Sequence, residues 1–311
     1  MFRLLPTAPW TVYGEFTRRT PVLGTFATYK VIADTGSAAA LLSSMDSLAR
    51  HLDGELGVFG TGELHRINTR GSAWIPGMSE DMRNLLELSF EISSLTDSLF
   101  DPAIGRLAAA WGFPDDPAFP GSLAVDSALA LSGLRHVRIS GDSLILGTGT
   151  MLDFGAVAKG FVVDRIYEHA RELGASAVLV EIGGEIRCGG DAEAGRTWRL
   201  AVRDPRGEGM MAVMEMDSGA MATSGDYESF FLHRGRRYCH ILDPRTGYPE
   251  SGTASVTVVS ARASVADALA TAIAVGGVPL AETLPDSLFT LIIVISENDS
   301  GAVTEWRRSS L

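Results

Sequence analysis

The stretch Ala177-Val178-Leu179-Val180-Glu181-Ile182-Gly183-Gly184-Glu185-Ile186-Arg187 decides the fold class. Its first six residues read as a strand, and the glycine pair that follows makes either a tight turn or a bulge. Upstream, residues 156–173 read as a helix. Downstream, short strands are expected over residues 198–202, 212–216 and 238–241, then a strand over 254–260. A helix over 265–275 and a last strand over 289–295 complete the series. Runs of several strands separate single helices. That pattern fits an α+β fold of mixed, largely antiparallel sheets with packed helices, not a doubly wound sheet.

The first half extends the pattern. Residues 22–33 mix β-branched and aromatic side chains and read as a strand. Residues 37–53 place Ala38, Leu41, Leu42, Met45 and Leu48 at helical spacing, and residues 80–98 do the same with Met82, Leu85, Leu86, Leu88 and Ile92. Residues 136–146 read as a hairpin turning at Gly141-Asp142. No fixed-period repeat appears. The expected organisation is an N-terminal extension over residues 1–20, one domain over 21–298 and a polar tail over 299–311 that frays.

The chain has 311 residues, 46% hydrophobic and 21% charged, with a net charge of −12. This composition fits a globular protein with ample core. The acidic balance disfavours nucleic acid and anionic lipid as partners. A phosphate-bearing ligand would have to be held locally, by amides, a few cations or a metal. The apolar run near Leu288–Ile295 is far short of the roughly 18 residues of a membrane span, so none is expected. Two isolated cysteines, Cys188 and Cys239, point to a reducing compartment, and the first residues show neither a signal-peptide pattern nor a lipidation cysteine. A cytoplasmic location is the expectation.

Walker, G-x-G-x-x-G, G-x-S-x-G, H-E-x-x-H and C-x-x-C motifs are missing from the sequence, which sets aside the enzyme classes they mark. Four segments remain. In Met151-Leu152-Asp153-Phe154-Gly155-Ala156-Val157-Ala158-Lys159-Gly160, Asp153 has the chemistry of a helix N-cap and small residues admit close approach. The bland alternative is a capped helix packed on a sheet. The second segment is the Gly183-Gly184 pair, for which a purely structural turn is the simpler reading. The third runs through Ala222-Thr223-Ser224-Gly225-Asp226-Tyr227 to Tyr238-Cys239-His240-Ile241-Leu242-Asp243-Pro244-Arg245-Thr246-Gly247. It sets one histidine at a strand end, where it either exchanges a proton near neutral pH or only bonds its own turn. The fourth, Ser264-Val265-Ala266-Asp267-Ala268-Leu269-Ala270-Thr271, has the S-x-x-D spacing of a capping box. It also puts Asp267 and Thr271 on one helical face, as oxygen ligands for a hard cation such as Mg²⁺.

Together, in this order, the segments resemble the ApbE family of FAD:protein FMN transferases. Val22-Leu23-Gly24-Thr25-Phe26 is similar to the family's M-G-T segment, with leucine for methionine. Phe100-Asp101-Pro102-Ala103-Ile104-Gly105 with Trp111-Gly112-Phe113 is similar to F-D-x-x-x-G…W-G-F. The resemblance implies an ApbE-like α-β roll and transfer of FMN from FAD to a threonine hydroxyl of an acceptor protein, with release of AMP. It also admits metal-dependent hydrolysis of FAD to FMN and AMP, or FAD binding without catalysis. It implies that Asp267, Thr271 and the Ala156 carbonyl bind Mg²⁺; Ala270 stands where some relatives carry another carboxylate. It further implies FAD contacts at Asp153, Lys159, the Leu99-Phe100-Asp101 segment and the backbone near Leu23 and Ile241. Phe59 would stack on the flavin shortly before Asn68, and His240 would move the proton. The implied partner is an acceptor flavoprotein or redox-complex subunit carrying a target threonine. Met221 in Asp217-Ser218-Gly219-Ala220-Met221 occupies the place where a self-acceptor would need threonine.

Overall fold

The computed structural model describes residues 12–58, 60–70, 73–190, 197–298 and 302–310. The chain opens with β1 (Tyr13–Val22) and β2 (Thr25–Asp34), followed by α1 (Ala38–Leu56), α2 (Glu63–Arg70), β3 (Ala73–Ile75) and α3 (Glu80–Leu95). Next come α4 (Gly105–Trp111), α5 (Ser122–Ala130), β4 (Val137–Ser140), β5 (Ser143–Leu146) and α6 (Ala158–Glu172). Then follow β6 (Ala177–Ile182), β7 (Glu185–Gly190), β8 (Trp198–Arg203), β9 (Met210–Met216) and β10 (Gly219–Gly225). The remainder is β11 (Phe230–His233), β12 (Arg236–Cys239), β13 (Thr253–Ser260), α7 (Ala263–Thr283), β14 (Leu291–Glu297) and β15 (Val303–Ser309).

Eight strands form one antiparallel sheet in the order β1-β2-β6-β7-β10-β13-β14-β15. Side chains alternate across it. Tyr29, Val31, Val178, Val180, Ala222, Val256, Val258 and Ile292 point into the main core with α1, α3, α6 and α7. Leu179, Cys188, Met221, Val259 and Ile293 point to the other face, which the β8–β9 hairpin covers with Leu200 and Val202. Both faces of the central strands are thus covered, and β13 is buried along nearly its whole length.

The expected extension is a sheet strand from Tyr13 onward. β1 hid from periodicity because its exposed positions carry Glu15, Thr17, Arg19 and Pro21. The strand expected over 22–33 is split by a turn, where Leu23 (φ 49°) and Gly24 (φ 70°) join β1 to β2. Residues 302–310 of the expected tail do not fray either: β15 pairs with β14 from Glu297↔Val303 to Leu291↔Ser309, and Trp306 packs on the core; residues 299–301 and 311 lie outside the described residues. The glycine pair is a hairpin turn, Ile182↔Glu185 closing β6 on β7.

α7 also corrects the hydropathy reading. It is long and apolar enough to cross a bilayer, although Asp267 interrupts it. Most of it is buried against β10, β13 and α6, as a core helix is. Gly277 (φ 64°, ψ −162°) kinks it two residues before Pro279, which is why its regular spacing ends near Val275.

Candidate active site

The site grows from the meeting of α6 and α7. Gly160 has no side chain there; a Cβ would lie 2.4 Å from the Ala263 carbonyl oxygen and 2.8 Å from Asp267 Cβ. That contact lets each helix cap the other. Asp164 on α6 accepts from the amides of Ala263 and Ser264, each at 2.9 Å, and from Ser264 Oγ at 2.6 Å. Asp267 on α7 accepts from the Gly160 amide at 3.0 Å. The expected capping box within Ser264–Asp267 is therefore replaced by a trade between helices. Asp153 is not the N-cap of α6, which follows Val157. Instead Asp153 Oδ1 accepts from the Gly155 amide at 2.8 Å and shapes the turn that enters the helix.

Lys159, in the first turn of α6, is the cation of this region. Its Nζ donates to Glu185 Oε1 at 2.7 Å, and Glu185 is 1% exposed. Burial works to lower the Lys159 pKa, but the carboxylates of Glu185, Asp267 and Glu228 outweigh it and raise it. Burial raises Glu185, reinforced by Asp267 and opposed by Lys159. Burial likewise raises Asp267 and Glu228, with Lys159 opposing in both. Three carboxylates therefore compete for one ammonium. Thr271, one turn beyond Asp267, bonds Ser224 across to β10, Oγ to Oγ at 3.1 Å.

His240 follows the last residue of β12. Its amide donates to the Ser229 carbonyl at 3.0 Å and Nδ1 lies 3.2 Å from the same oxygen. A carbonyl only accepts, so Nδ1 is assigned the proton and Nε2 keeps the lone pair. Burial lowers the His240 pKa below 6.5; the Ser229 carbonyl and Asp153 oppose this and Lys159 adds to it. His240 thus senses the charges of Lys159 and Asp153. The Phe113 ring meets the imidazole edge-on at 6.4 Å, and Trp111 Nε1 donates to the Gly247 carbonyl at 2.8 Å, fixing the turn after His240.

The remaining expected residues contribute mainly backbone. Asn68 brackets Leu152, donating to its carbonyl and accepting from its amide, both at 2.8 Å. Asp153 N donates to the Pro102 carbonyl at 2.7 Å, which brings the Leu99–Asp101 segment alongside. The Asp101 carboxylate is spent on the amides of Ala103 and Leu134, while Phe100 and Leu99 sit in the core. Ile241 is also a core residue, its carbonyl accepting from the Glu250 amide. The Leu23 amide donates to Asp53 Oδ1 at 3.1 Å. Thr25, two residues further on, and the Lys159 stem both line the bare backbone of Gly183. Ala156 lies in the turn before α6. Phe59 lies outside the described residues.

The donor set fits a hard cation. It is made of oxygens, and its surplus of buried negative charge over Lys159 is what a divalent ion would offset. Among the described residues no group of three or more His, Cys, Asp or Glu side chains could hold a metal ion unaided. A hydroxyl, a carbonyl or ligand oxygens would have to complete the shell. Glu185, buried against Lys159, and the exposed Glu228 were not among the expected site residues. Nothing in an isolated acid signals burial, although Glu185 stands directly after the glycine pair.

An antiparallel sheet backed by two mutually capped helices, with His240, the half-buried Lys159 and the buried acids Asp267 and Glu185 in one region, defines an α+β fold whose polar groups suit an anionic, phosphate-bearing ligand. Known proteins agree. The sequence model of the ApbE family matches residues 23–289. An FAD:protein FMN transferase of Vibrio cholerae is 30% identical over 292 residues, 90% of this chain and 87% of that one. One from Treponema pallidum is 31% identical over 283 residues, 83% and 78% of the two chains. The crystal structure of the ApbE protein of Thermotoga maritima superposes with a TM-score of 0.86 at 29% identity, covering 94% of this chain and 96% of that one. The flavin transferase ApbE of Vibrio cholerae gives 0.83 at 28%, over 96% and 98%. The chain belongs to the ApbE family.

Proposed function

We propose that this enzyme transfers FMN from FAD to a threonine hydroxyl of an acceptor protein and releases AMP. The carrying observation is the gathering of Asp153, Lys159, His240 and Asp267 about the N-terminus of α6, with Thr271 one turn beyond Asp267. The threonine oxygen bonds to the phosphorus of the FMN phosphate, and the bond from that phosphorus to the bridging oxygen breaks. Neutral His240 takes the hydroxyl proton at Nε2. Lys159 offsets charge on the diphosphate, and Asp153 orients the substrate. Asp267, Thr271 and the Ala156 carbonyl would hold Mg²⁺. When bound, the ion would stabilise charge developing on the phosphoryl oxygens.

The acceptor we infer is a flavoprotein or redox-complex subunit. A reducing, cytoplasmic setting is supported by Cys188 and Cys239, both free and buried. The test is incubation with FAD, Mg²⁺ and an acceptor domain bearing an S/T-G-A-T-like segment, read by mass. FMN on the acceptor threonine supports transfer. FMN and AMP formed at a comparable rate without acceptor would make the enzyme a pyrophosphatase. Intact FAD after long incubation would leave it a binder.

A further inference from the structure

Glu185 opens β7 directly after the Gly183-Gly184 turn. One of its oxygens holds Lys159; the other, Oε2, is buried and has no hydrogen-bond partner among the described residues. Asp267 and Glu228 stand close enough to repel it. As a device for stability this is a poor arrangement, because a buried carboxylate with one oxygen unpaired costs more than an apolar side chain there. What it achieves is a fixed position for a flexible stem. A Cβ on Gly183 would lie 3.4 Å from Lys159 Cδ and 3.3 Å from Thr25 Cγ2, so the stem runs across bare turn backbone. Gly183 holds φ +63°, which glycine adopts without strain.

Lys159 has other suitors. Asp267 and Glu228 both attract it. A lysine that swung onto Asp267 would neutralise the acid assigned to the cation and leave the diphosphate without its ammonium. We propose that Glu185 is a positioning residue that anchors Lys159 beside Asp267 without letting the two pair, keeping the ammonium for the substrate and the acid for the metal. This rests on the flavin reading above. Glu185 touches neither substrate nor metal in it and acts only through Lys159.

The experiment measures FAD affinity by flavin fluorescence in EDTA, so that no metal and no turnover enter. The proteins are wild type, Glu185→Gln, Glu185→Asp, Lys159→Met and the Glu185→Gln/Lys159→Met double variant; urea midpoints check folding. Glu185→Gln and Lys159→Met are each expected to weaken binding about tenfold, and the double variant no further, because both act through one group. Glu185→Asp, which keeps the charge but retracts it, should lose less. The Glu185→Gln midpoint should match or exceed wild type, since a repelled buried charge is gone. Wild-type affinity in Glu185→Gln, or losses that multiply in the double variant, overturns the proposal. If Glu185→Gln does not fold, Glu185→Asp decides: weakened binding supports the proposal and wild-type affinity overturns it. FAD binding by wild type that Lys159→Met leaves unchanged refutes the anchoring role while the flavin reading stands. Failure of wild type to bind FAD overturns both.

Discussion

Asp164 and Asp267 exchange helix termini: the acid on α6 satisfies the first amides of α7, and the acid on α7 satisfies the Gly160 amide of α6. Asp164 also receives Arg187 Nη1 at 2.9 Å, tying the helix pair to β7. The two acids differ in what they can spare. Asp164 is committed to structure, whereas Asp267 is drawn electrostatically towards Lys159 in the site.

Removing Asp164 should therefore damage the fold before the chemistry. Asp164→Ala strands two amides and the Ser264 hydroxyl, and leaves the largely buried Arg187 guanidinium with Glu168 alone. The expected loss is about 3–5 kcal/mol, the range for breaking a buried ion pair on one side. Urea unfolding measures it, and a loss near zero would mean that the exchange carries no weight.

Asp267→Asn should do the opposite. The amide oxygen still accepts from Gly160, so the unfolding midpoint should stay near wild type. Mg²⁺ affinity in the presence of FAD, measured by titration calorimetry, should fall at least tenfold, and flavin transfer with it. Wild-type Mg²⁺ affinity in this variant would remove Asp267 from the metal site.

Gly160→Ala tests the close approach itself. The added methyl meets a carbonyl oxygen and the Asp267 stem, both inside contact distance. Overpacking of this kind costs about 1–3 kcal/mol. Activity should fall further than stability alone explains, because Lys159 and Asp267 move apart. A variant with full turnover would show that the α6–α7 spacing is not critical.

In the mechanism proposed above, His240 sets the acid side of the pH dependence. Its folded pKa lies below 6.5, so the neutral base is present at pH 7 and is lost only as pH falls below that value. The acidic limb of kcat/KM should sit below 6.5, and His240→Ala should lower turnover and flatten that limb. The same shift bears on stability. Between the folded pKa and 6.5 the unfolded chain binds more protons, so this contribution is complete above 6.5 and is lost as pH falls through the folded value. An unchanged limb in His240→Ala would assign the base elsewhere.

Much of this was legible in the chain, for identifiable reasons. α1 and α3 bury one stripe each, so Leu41 and Met45 on one, and Met82 and Leu85 on the other, recur at helical spacing. His240 at the end of β12 and the Asp267–Thr271 pair stood out as polar groups in small or apolar surroundings. The edge strands β1 and β15 did not, because half their residues meet water and carry charge. The capping exchange was also hidden, since Asp164 lies about 100 residues from the amides it serves. Glu185 shows the same limit: a carboxylate's burial is decided by partners the local sequence does not name.

The sheet order has one more consequence. β1 and β15 form its two rims, and both display charge outward, Glu15 and Arg19 on one, Glu305 and Arg307 on the other. Pro21 adds a position with no amide to offer. A visiting polypeptide aligned with either rim meets these charges and, at Pro21, no amide, which disfavours backbone pairing there. In the function proposed above, a client chain would then be received side-on, by surface shape and side chains, rather than recruited as a ninth strand.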